Sequence, residues 1–271
     1  RPVSLASSTV VLSLPRRAAL VHAVFKVLYY STSRLSGPYA KTQCGEGFTA
    51  ANAGTDPEFV KVVDLAPHSP SYEFPAGFVA SPIFDGARKT GVLIMQIPVE
   101  QIDAIMTNDQ RWAQVGMGDS GETYLVGPDF AMRSNSRFLI ETPDAYAAMI
   151  RDLGVPEDVV SDIVLKVTSA LQQEVRTQGT TAALQGETGE AVFDDYRGVS
   201  VVSAYRPLDL EDLNWALMSE VDEDEAMIAV SSLNTTIGLV FLLGLVLCSA
   251  AAFTISLSIT KRINGITGKL R

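Results

Sequence analysis

Residues Thr236–Ile259, TIGLVFLLGLVLCSAAAFTISLSI, constrain this chain more than any other stretch. They hold no charged residue, and the charge-free run extends from Ala226 to Thr260. A bilayer's hydrocarbon core is about 30 Å thick and takes roughly 20 apolar helical residues to cross. Lipid offers backbone groups no hydrogen-bond partner, so the run is expected as one membrane-spanning helix. A signal-peptide core would sit at the other end of a chain. The flanks are asymmetric. Asp222-Glu223-Asp224-Glu225 precede the run, and Lys261, Arg262, Lys269 and Arg271 follow it. Cations within about 15–20 residues of a membrane end stay on the cytoplasmic side. Residues 1–225 are therefore expected outside the inner membrane, periplasmic or extracellular, and the C-terminus in the cytosol.

Charge agrees with that sidedness. The 271 residues carry a net charge of −10, and the four cations after residue 260 leave −14 for the remainder. So acidic an outer part argues against nucleic acid and against an anionic membrane surface as its partner. Its length suits one large or two modest domains. The two cysteines, Cys44 outside and Cys248 within the apolar run, are kept apart, so no disulfide framework is expected. His22 and His68 form no ligand cluster with cysteine, so no metal and no cofactor are expected. The chain opens at Arg1 without a signal peptide. It is therefore expected to be a fragment, exported by a signal anchor upstream.

Residues 1–18 give little beyond a short strand at Val10–Leu14. LVHAVFKVLYY, ending at Tyr30, is β-branched and aromatic and predicts a strand. A turn at Leu35–Tyr39, a helix over Glu46–Asn52 and a strand over Val60–Leu65 follow, then a loop from Pro67 to Tyr72. Ala76–Phe84 and Gly91–Pro98 form a hairpin around Asp85–Thr90, and Val99–Trp112 a helix. Beyond Gly116 the pattern repeats. Glu122–Val126 and Phe130–Ser134 are predicted strands about the Gly127-Pro128-Asp129 turn. Pro143–Ile150 and Glu157–Gln173 are predicted helices, the second with an apolar face at Val160, Ile163, Val164, Val167 and Leu171. Gly179–Leu184, Glu190–Tyr196, Val199–Pro207 and Trp215–Val221 are predicted strands, with a tight turn at Arg197-Gly198. The fold class is α+β.

Three strings carry a family resemblance. Gly118–Phe138 (GDSGETYLVGPDFAMRSNSRF) and Asp194–Asp222 resemble the opening and closing strands of the membrane-proximal lobe of double Cache sensors. Phe78–Met106 is similar to the end of the distal lobe and the helix between lobes. SITKRINGITGKLR resembles the start of a HAMP linker, with Ile263 where a proline is usual. The resemblance implies two stacked PAS-like (Cache) lobes with antiparallel sheets, joined to one C-terminal transmembrane helix. Residues 19–106 would be the distal lobe, truncated at its start, because residues 1–18 match neither the usual membrane helix nor its stalk. Residues 107–225 would be the proximal lobe, 226–260 the transmembrane helix with its lead-in, and 261–271 the HAMP start. The implied role is an extracytoplasmic small-molecule sensor of a bacterial receptor whose cytoplasmic output is a cyclase, chemoreceptor rod or histidine kinase. The alternative is a membrane-anchored exported enzyme or adhesion module whose outer part acts by itself.

The chemistry of the residues favours binding. Asp194 and Asp195 are adjacent and on a strand point to opposite faces, which makes a poor acid–base pair. Gly116, Gly118 and Gly121 spell G-x-G-x-x-G but precede a strand instead of opening a helix, so they are expected to form a glycine-rich turn. No catalytic residue is assigned, and this stretch of chain is expected not to be an enzyme. PAS-like lobes bind small ligands, and pockets are apolar with a few placed polar groups. The candidates are Phe25, Tyr29, Tyr72, Phe78 and Asp85 in the first lobe, where aromatics could close on a ligand and an aspartate pair with an amine. In the second they are Tyr124, Arg133 and Arg137, where two arginines with Ser134 could hold a carboxylate. The Arg-x-Trp-Tyr string of amino-acid-binding Cache sensors is absent. Gly238, Gly244 and Ser249–Ala252 are small residues suited to helix contact in a homodimer, and lipid is the expected partner around 236–259.

Overall fold

The computed structural model describes residues 40–267, with side chains for all but 229–235, 254 and 257–267. The predicted strands at 10–14 and 19–30, the turn at 35–39, His22, and the candidates Phe25 and Tyr29 lie outside the described residues. The chain parts into two compact units at Glu223/Asp224.

The first unit holds two antiparallel sheets, as the α+β pattern requires. Helix α1 (Gln43–Ala53) lies on a sheet of β1 (Lys61–His68), β2 (Phe74–Asp85) and β3 (Arg88–Pro98), in that order. Gly47 lets helix and sheet approach closely, because a Cβ there would sit 3.3 Å from Ala80 and Val63. Cys44, Val63, Ala76 and Phe78 fill the small core between them. The β2–β3 hairpin closes through a two-residue loop with Gly86 at φ +58°, a value that suits glycine at the first loop position. His68 ends β1 instead of starting a loop, and Ser69–Ser71 form a single 3-10 turn.

Helix α2 (Val99–Met106) is shorter than the predicted span to Trp112. Asn108, Asp109 and Gln110 all take left-handed backbone, which ends the helix. The Thr107 hydroxyl fixes that end, donating to the Asp103 carbonyl at 2.7 Å and accepting from Gln110 N at 3.1 Å. The second sheet contains β4 (Glu122–Val126), β5 (Gly189–Asp194), β6 (Ser200–Pro207) and β7 (Ala216–Asp222), in the order β4-β7-β6-β5. Four helices cover its inner face: α3 (Arg137–Glu141), which the sequence pattern does not announce, α4 (Pro143–Asp152), α5 (Glu157–Lys166) and α6 (Gln178–Leu184). Tyr124, Val126, Met132, Leu139, Tyr146, Ile150, Val160, Ile163 and Met218 form the core beneath them.

Three further predictions are corrected. Gly179–Leu184 is helix, not strand. Thr177 and Thr180 form a reciprocal capping box, and Gly179 packs where a Cβ would meet the Phe193 ring at 2.6 Å. Phe130–Ser134 makes single bridges instead of a ladder, because its backbone also pairs with residues 171–175. Helix α5 stops at Lys166, where Val167 turns left-handed at φ +51° and Asn135 takes hold of the following residues.

A separate core of Leu65, Val99, Ile102, Leu125, Ala170, Leu213 and Trp215 joins the two sheets. Polar ties reinforce it. Arg133 donates to Asp64 through Nε (2.9 Å) and Nη2 (3.1 Å), and Trp215 Nε1 donates to the same carboxylate at 3.0 Å. Gly127 makes room, since a Cβ there would lie 2.2 Å from the guanidinium carbon. Asp103 accepts from Asn135 N (2.6 Å) and Nδ2 (2.7 Å).

The second unit, from Asp224, takes in all but the first residue of α7 (Glu223–Thr267), 45 residues of unbroken helix, about 68 Å long at 1.5 Å per residue. The helix begins at Glu223, so Glu223, Asp224 and Glu225 lie in its first turn. Acidic side chains there complement the helix dipole. Thr236–Phe253 is long and apolar enough to cross a membrane, and its described side chains are exposed.

Asp64→Ala leaves the buried Arg133 guanidinium without its two-pronged partner. It should cost about 2–4 kcal/mol, measured as a fall of about 10 °C in the unfolding temperature of the outer unit. A loss below about 1 kcal/mol would show that the tie between the sheets is dispensable.

Candidate functional site

Two places in the first unit concentrate polar chemistry. The first is a cleft of about 590 Å³ between the sheets, lined by Tyr72, Phe74, Gln96, Glu100, Asn135, Lys166, Val167 and Thr168. Its size falls in the usual range for small-molecule sites. Its rims are strained. Tyr72 and Glu73 are consecutive left-handed residues on one side, and β-branched Val167 is left-handed on the other. Such conformations cost about 1–3 kcal/mol each and tend to gather at ligand clamps and switches. Lys166 is held by Asp162 at 2.7 Å, which also accepts from Gln172 at 2.9 Å.

The second is a buried acid cluster on the inner face of the four-stranded sheet. Glu122 on β4 and Glu220 on β7 stand opposite each other in register, each 2% exposed. Alternation along the strands carries Glu122, Tyr124 and Val126 to the same face as Glu220, Met218 and Ala216. Glu122 accepts from Tyr196 Oη (2.6 Å), Arg137 N (3.0 Å) and Ser136 Oγ (3.4 Å). Glu220 accepts from Tyr124 Oη (2.7 Å) and Ser203 Oγ (2.9 Å). Beside them Arg197 bonds Asp195 through Nε (2.6 Å) and Asp222 through Nη2 (2.5 Å), over the ring of Phe138.

Burial dominates the titration here. It pushes Glu122 up to about 7 against the bond from Tyr196, and Glu220 up to about 7 against the bonds from Tyr124 and Ser203. It raises Asp195 against the pull of Arg197. Tyr124 and Tyr196 are driven far above the ordinary phenol range, first by burial and then by the nearby carboxylates. Burial opposes the charge of Arg197, but Asp195 and Asp222 more than compensate and raise its affinity for the proton. At the junction of the sheets, burial pushes Asp103 up to about 6 against its bonds from Asn135.

The sequence-derived candidates scatter. Tyr72 is 87% exposed on the rim of the cleft, whereas Phe78 is core, edge-on to His68 at 5.0 Å. Asp85 is exposed at the tip of the first hairpin, opposite Arg88. Arg133 serves Asp64, Asp129 and the Ala131 carbonyl. Arg137 donates to the carbonyls of Gly121 (2.6 Å) and Gly118 (3.1 Å) and lies over Trp112. Both guanidinium groups are thus engaged by acceptors of the chain itself, in different places. Tyr124 and Arg137 do meet in the acid cluster. Sequence reasoning passed over Glu122, Tyr196, Arg197 and Glu220, and weighed Asp195 only as a poor acid–base partner of Asp194. The available signal was an acid falling on the apolar face of an alternating strand, twice. The glycine-rich turn is as expected. Gly116 and Gly118 have φ of +79° and +56°, and Gly121 is crowded, a Cβ there meeting the Met117 carbonyl oxygen at 2.2 Å. Asp194 is exposed and Asp195 buried, on opposite faces.

No family model and no curated protein sequence matches the chain. Among solved structures it is similar to the ligand-binding domain of the Pseudomonas aeruginosa amino acid chemoreceptor PctB in complex with L-Gln, at 17% identity and TM-score 0.40, over 77% of this chain and 69% of that one. It is similar to the extracellular domain of mmHK1S-Z3, assigned as a histidine kinase, at 16% and 0.38, over 65% and 54%. It is also similar to the ligand-binding domain of the Pseudomonas fluorescens chemoreceptor CtaA in complex with L-alanine, at 12% and 0.37, over 66% and 60%. The chain thus spans little more than half of the kinase domain's length.

Because Glu122, Glu220 and Asp103 keep their protons to higher pH folded than the unfolded carboxylate range near 4 allows, the folded state binds more protons between about pH 5 and 7. Stability is then full at the acidic end of that window and falls as pH rises through it. The outer unit should lose on the order of 7 kcal/mol between pH 5 and pH 8, and a melting temperature that rises over that interval would refute the burial argument. Gly121→Ala should cost about 1–3 kcal/mol by overpacking, read in the same melting experiment, and no measurable cost would contradict the close approach to Met117.

Proposed function

We propose that residues 40–222 form the extracytoplasmic small-molecule sensor of a transmembrane signalling receptor. The observation that carries this reading is the passage from β7 to α7 with no intervening linker: Asp222 ends the last strand and Glu223 begins the 45-residue helix. A domain that only had to be tethered would tolerate a flexible connection. A strand that continues into the helix without an intervening loop suits transmission. The apolar side chains of α7 from Ile237 to Ile255 supply a lipid-facing surface, and the acidic residues before the span and cationic ones after it support a cytosolic C-terminus. Residues 261–271 then lead to an output module. The small residues Gly238, Gly244 and Ser249–Ala252 favour a homodimer through α7.

Binding, and not catalysis, is the role of the outer unit in this reading. The ligand site is the cleft between the sheets, where Lys166 and Glu100 can meet a carboxylate and an amine and Tyr72 can fold over an apolar portion. Binding there biases the two sheets toward one arrangement, and it can do so only by its differential affinity for the two. Output through a cyclase, chemoreceptor rod or histidine kinase belongs to the same proposal.

The chain in lipid nanodiscs, screened against small carboxylates and amines, tests this. A ligand present at 100 times its Kd adds about 2.7 kcal/mol and should raise the melting temperature by about 5–10 °C. Tyr72→Ala and Lys166→Met should reduce that rise. Failure of every carboxylate and amine to stabilise well-folded protein would overturn the directly liganded sensor.

A further inference from the structure

The acid cluster has no part in the cleft, yet it buries two carboxyl groups side by side, each 2% exposed. Two carboxyl groups face each other on neighbouring strands with hydroxyl and amide donors only. Among the described residues, no lysine or arginine side chain bonds either of them. We propose that the Glu122–Glu220 pair is a proton-binding site, through which external acidity sets the position of β7 at the point where the chain enters α7. The signalling half of this inference rests on the sensor reading above, while the proton site stands on the cluster itself.

The surroundings fit a site that is filled and emptied. Ser136, Ser203, Tyr124 and Tyr196 all present hydroxyls to the two carboxyls, and a hydroxyl can donate to a carboxylate or accept from a carboxylic acid. Ser136 and Tyr196 are also bonded to each other at 2.7 Å, so the Glu122 side of the cluster can reorient as a chain. The charged and titratable groups facing the pair come from β4, α3, α4 and the turn between β5 and β6. Tyr124 comes from β4, Tyr146 from α4, and Arg137 from α3 through its backbone N–H. Asp195, Tyr196 and Arg197 come from the turn between β5 and β6, which also reaches Asp222. From β6 comes Ser203, while α5 and α6 contribute Val160, Ile163 and Ala183. Arg197 lies where both glutamates feel its charge, and it is shared between Asp195 inside and Asp222 at the end of β7. When the pair loses its protons, up to two negative charges appear beside Asp195. Arg197 is then drawn toward the cluster and away from Asp222, the residue directly before α7. When the protons return, Arg197 is released to Asp222. Burial raises both glutamates into the neutral range, so the exchange falls between mildly acidic and mildly alkaline surroundings.

The test uses the chain in lipid nanodiscs with glutamate labelled at the side-chain carboxyl carbon, Glu122→Gln and Glu220→Gln assigning the two signals by NMR. Two carboxyl signals should titrate in coupled steps between about pH 6 and 8. Tyr196→Phe removes a donor from the ionised form of Glu122 and should move its midpoint upward, and this variant keeps both acids should the glutamine variants fail to fold. Amide exchange over residues 216–222, corrected for the intrinsic effect of pH, should differ severalfold between pH 5.5 and 8 in the parent chain and lose that difference when both glutamates are glutamine. Titration of both acids below pH 5, or protons held beyond pH 9, would overturn the site. Titration in range with unchanged exchange, or exchange that still responds in the double variant, would overturn its link to β7. A metabolite screen without hits leaves these outcomes untouched, so the two readings fail separately.

Discussion

Arg133 is where the two sheets are made into one unit. Its guanidinium is almost wholly buried, lies against the backbone of Gly127, and is held in a fork by Asp64 on β1. Burial alone would weaken its charge, but the bonds to Asp64 and Asp129 reverse the effect and hold the proton more tightly than usual. Trp215, the residue before β7, adds its indole N–H to the same carboxylate. One carboxylate therefore links a strand of the first sheet, the turn after β4 and the approach to β7. The apolar contacts around it, from Leu65, Val99 and Ile102 to Leu125 and Leu213, are non-directional and would tolerate sliding. The ion pair and the indole bond supply the register. Asp103 in turn holds Asn135, one of the residues that line the cleft.

Most of the architecture could be read from local patterns. The β2–β3 hairpin, β4, α4 and the long apolar helix follow from alternation, turn residues and an unbroken apolar run. Two of the misreadings involve longer-range contact overriding local propensity. Gly179–Leu184 has the threonines of a strand, but a capping box and the close packing of Gly179 on Phe193 and Met218 make it helix. Helix α5 has an apolar face that runs on past Lys166, but Asn135, some thirty residues earlier, captures Thr168 and Ser169 and the helix stops. The functional sites were less legible. An arginine in a sequence is an open hydrogen-bond donor, and only the fold reveals that Arg133 and Arg137 are already taken. Conversely Glu122 and Glu220 look like solvated strand residues until pairing shows that they share a buried face.

That burial has a thermodynamic cost that a core need not bear. Replacing the pair with apolar residues of similar volume would remove two desolvation penalties, and such exchanges are often neutral or stabilising. The arrangement also asks for four hydroxyl groups in a core that could be hydrocarbon. Each of those hydroxyls has an acid or another hydroxyl to meet, so the network is satisfied internally in spite of its composition. A satisfied polar network in a dry core is rigid in either charge state but not identical in the two, because the donors must turn when a proton leaves. It is therefore a place where one small event has two discrete structural answers.

The order of the second sheet decides where such an event is felt. The first strand, β4, pairs with the last, β7, and β6 flanks β7 on the other side. The strand that feeds α7 is thus central, hydrogen-bonded along both edges, and displaceable only together with a neighbour. Glu122 sits on one neighbour, Ser203 on the other, and Glu220 on β7 between them. A charge appearing within this row acts on all three strands at the level of Glu220, three residues before the helix begins at Glu223. Had β7 been an edge strand, the same charge could have been relieved by local fraying with nothing passed on. In a central strand fraying breaks two ladders at once, so relief by a shift of Arg197 and of the strand end at Asp222 is the less costly response.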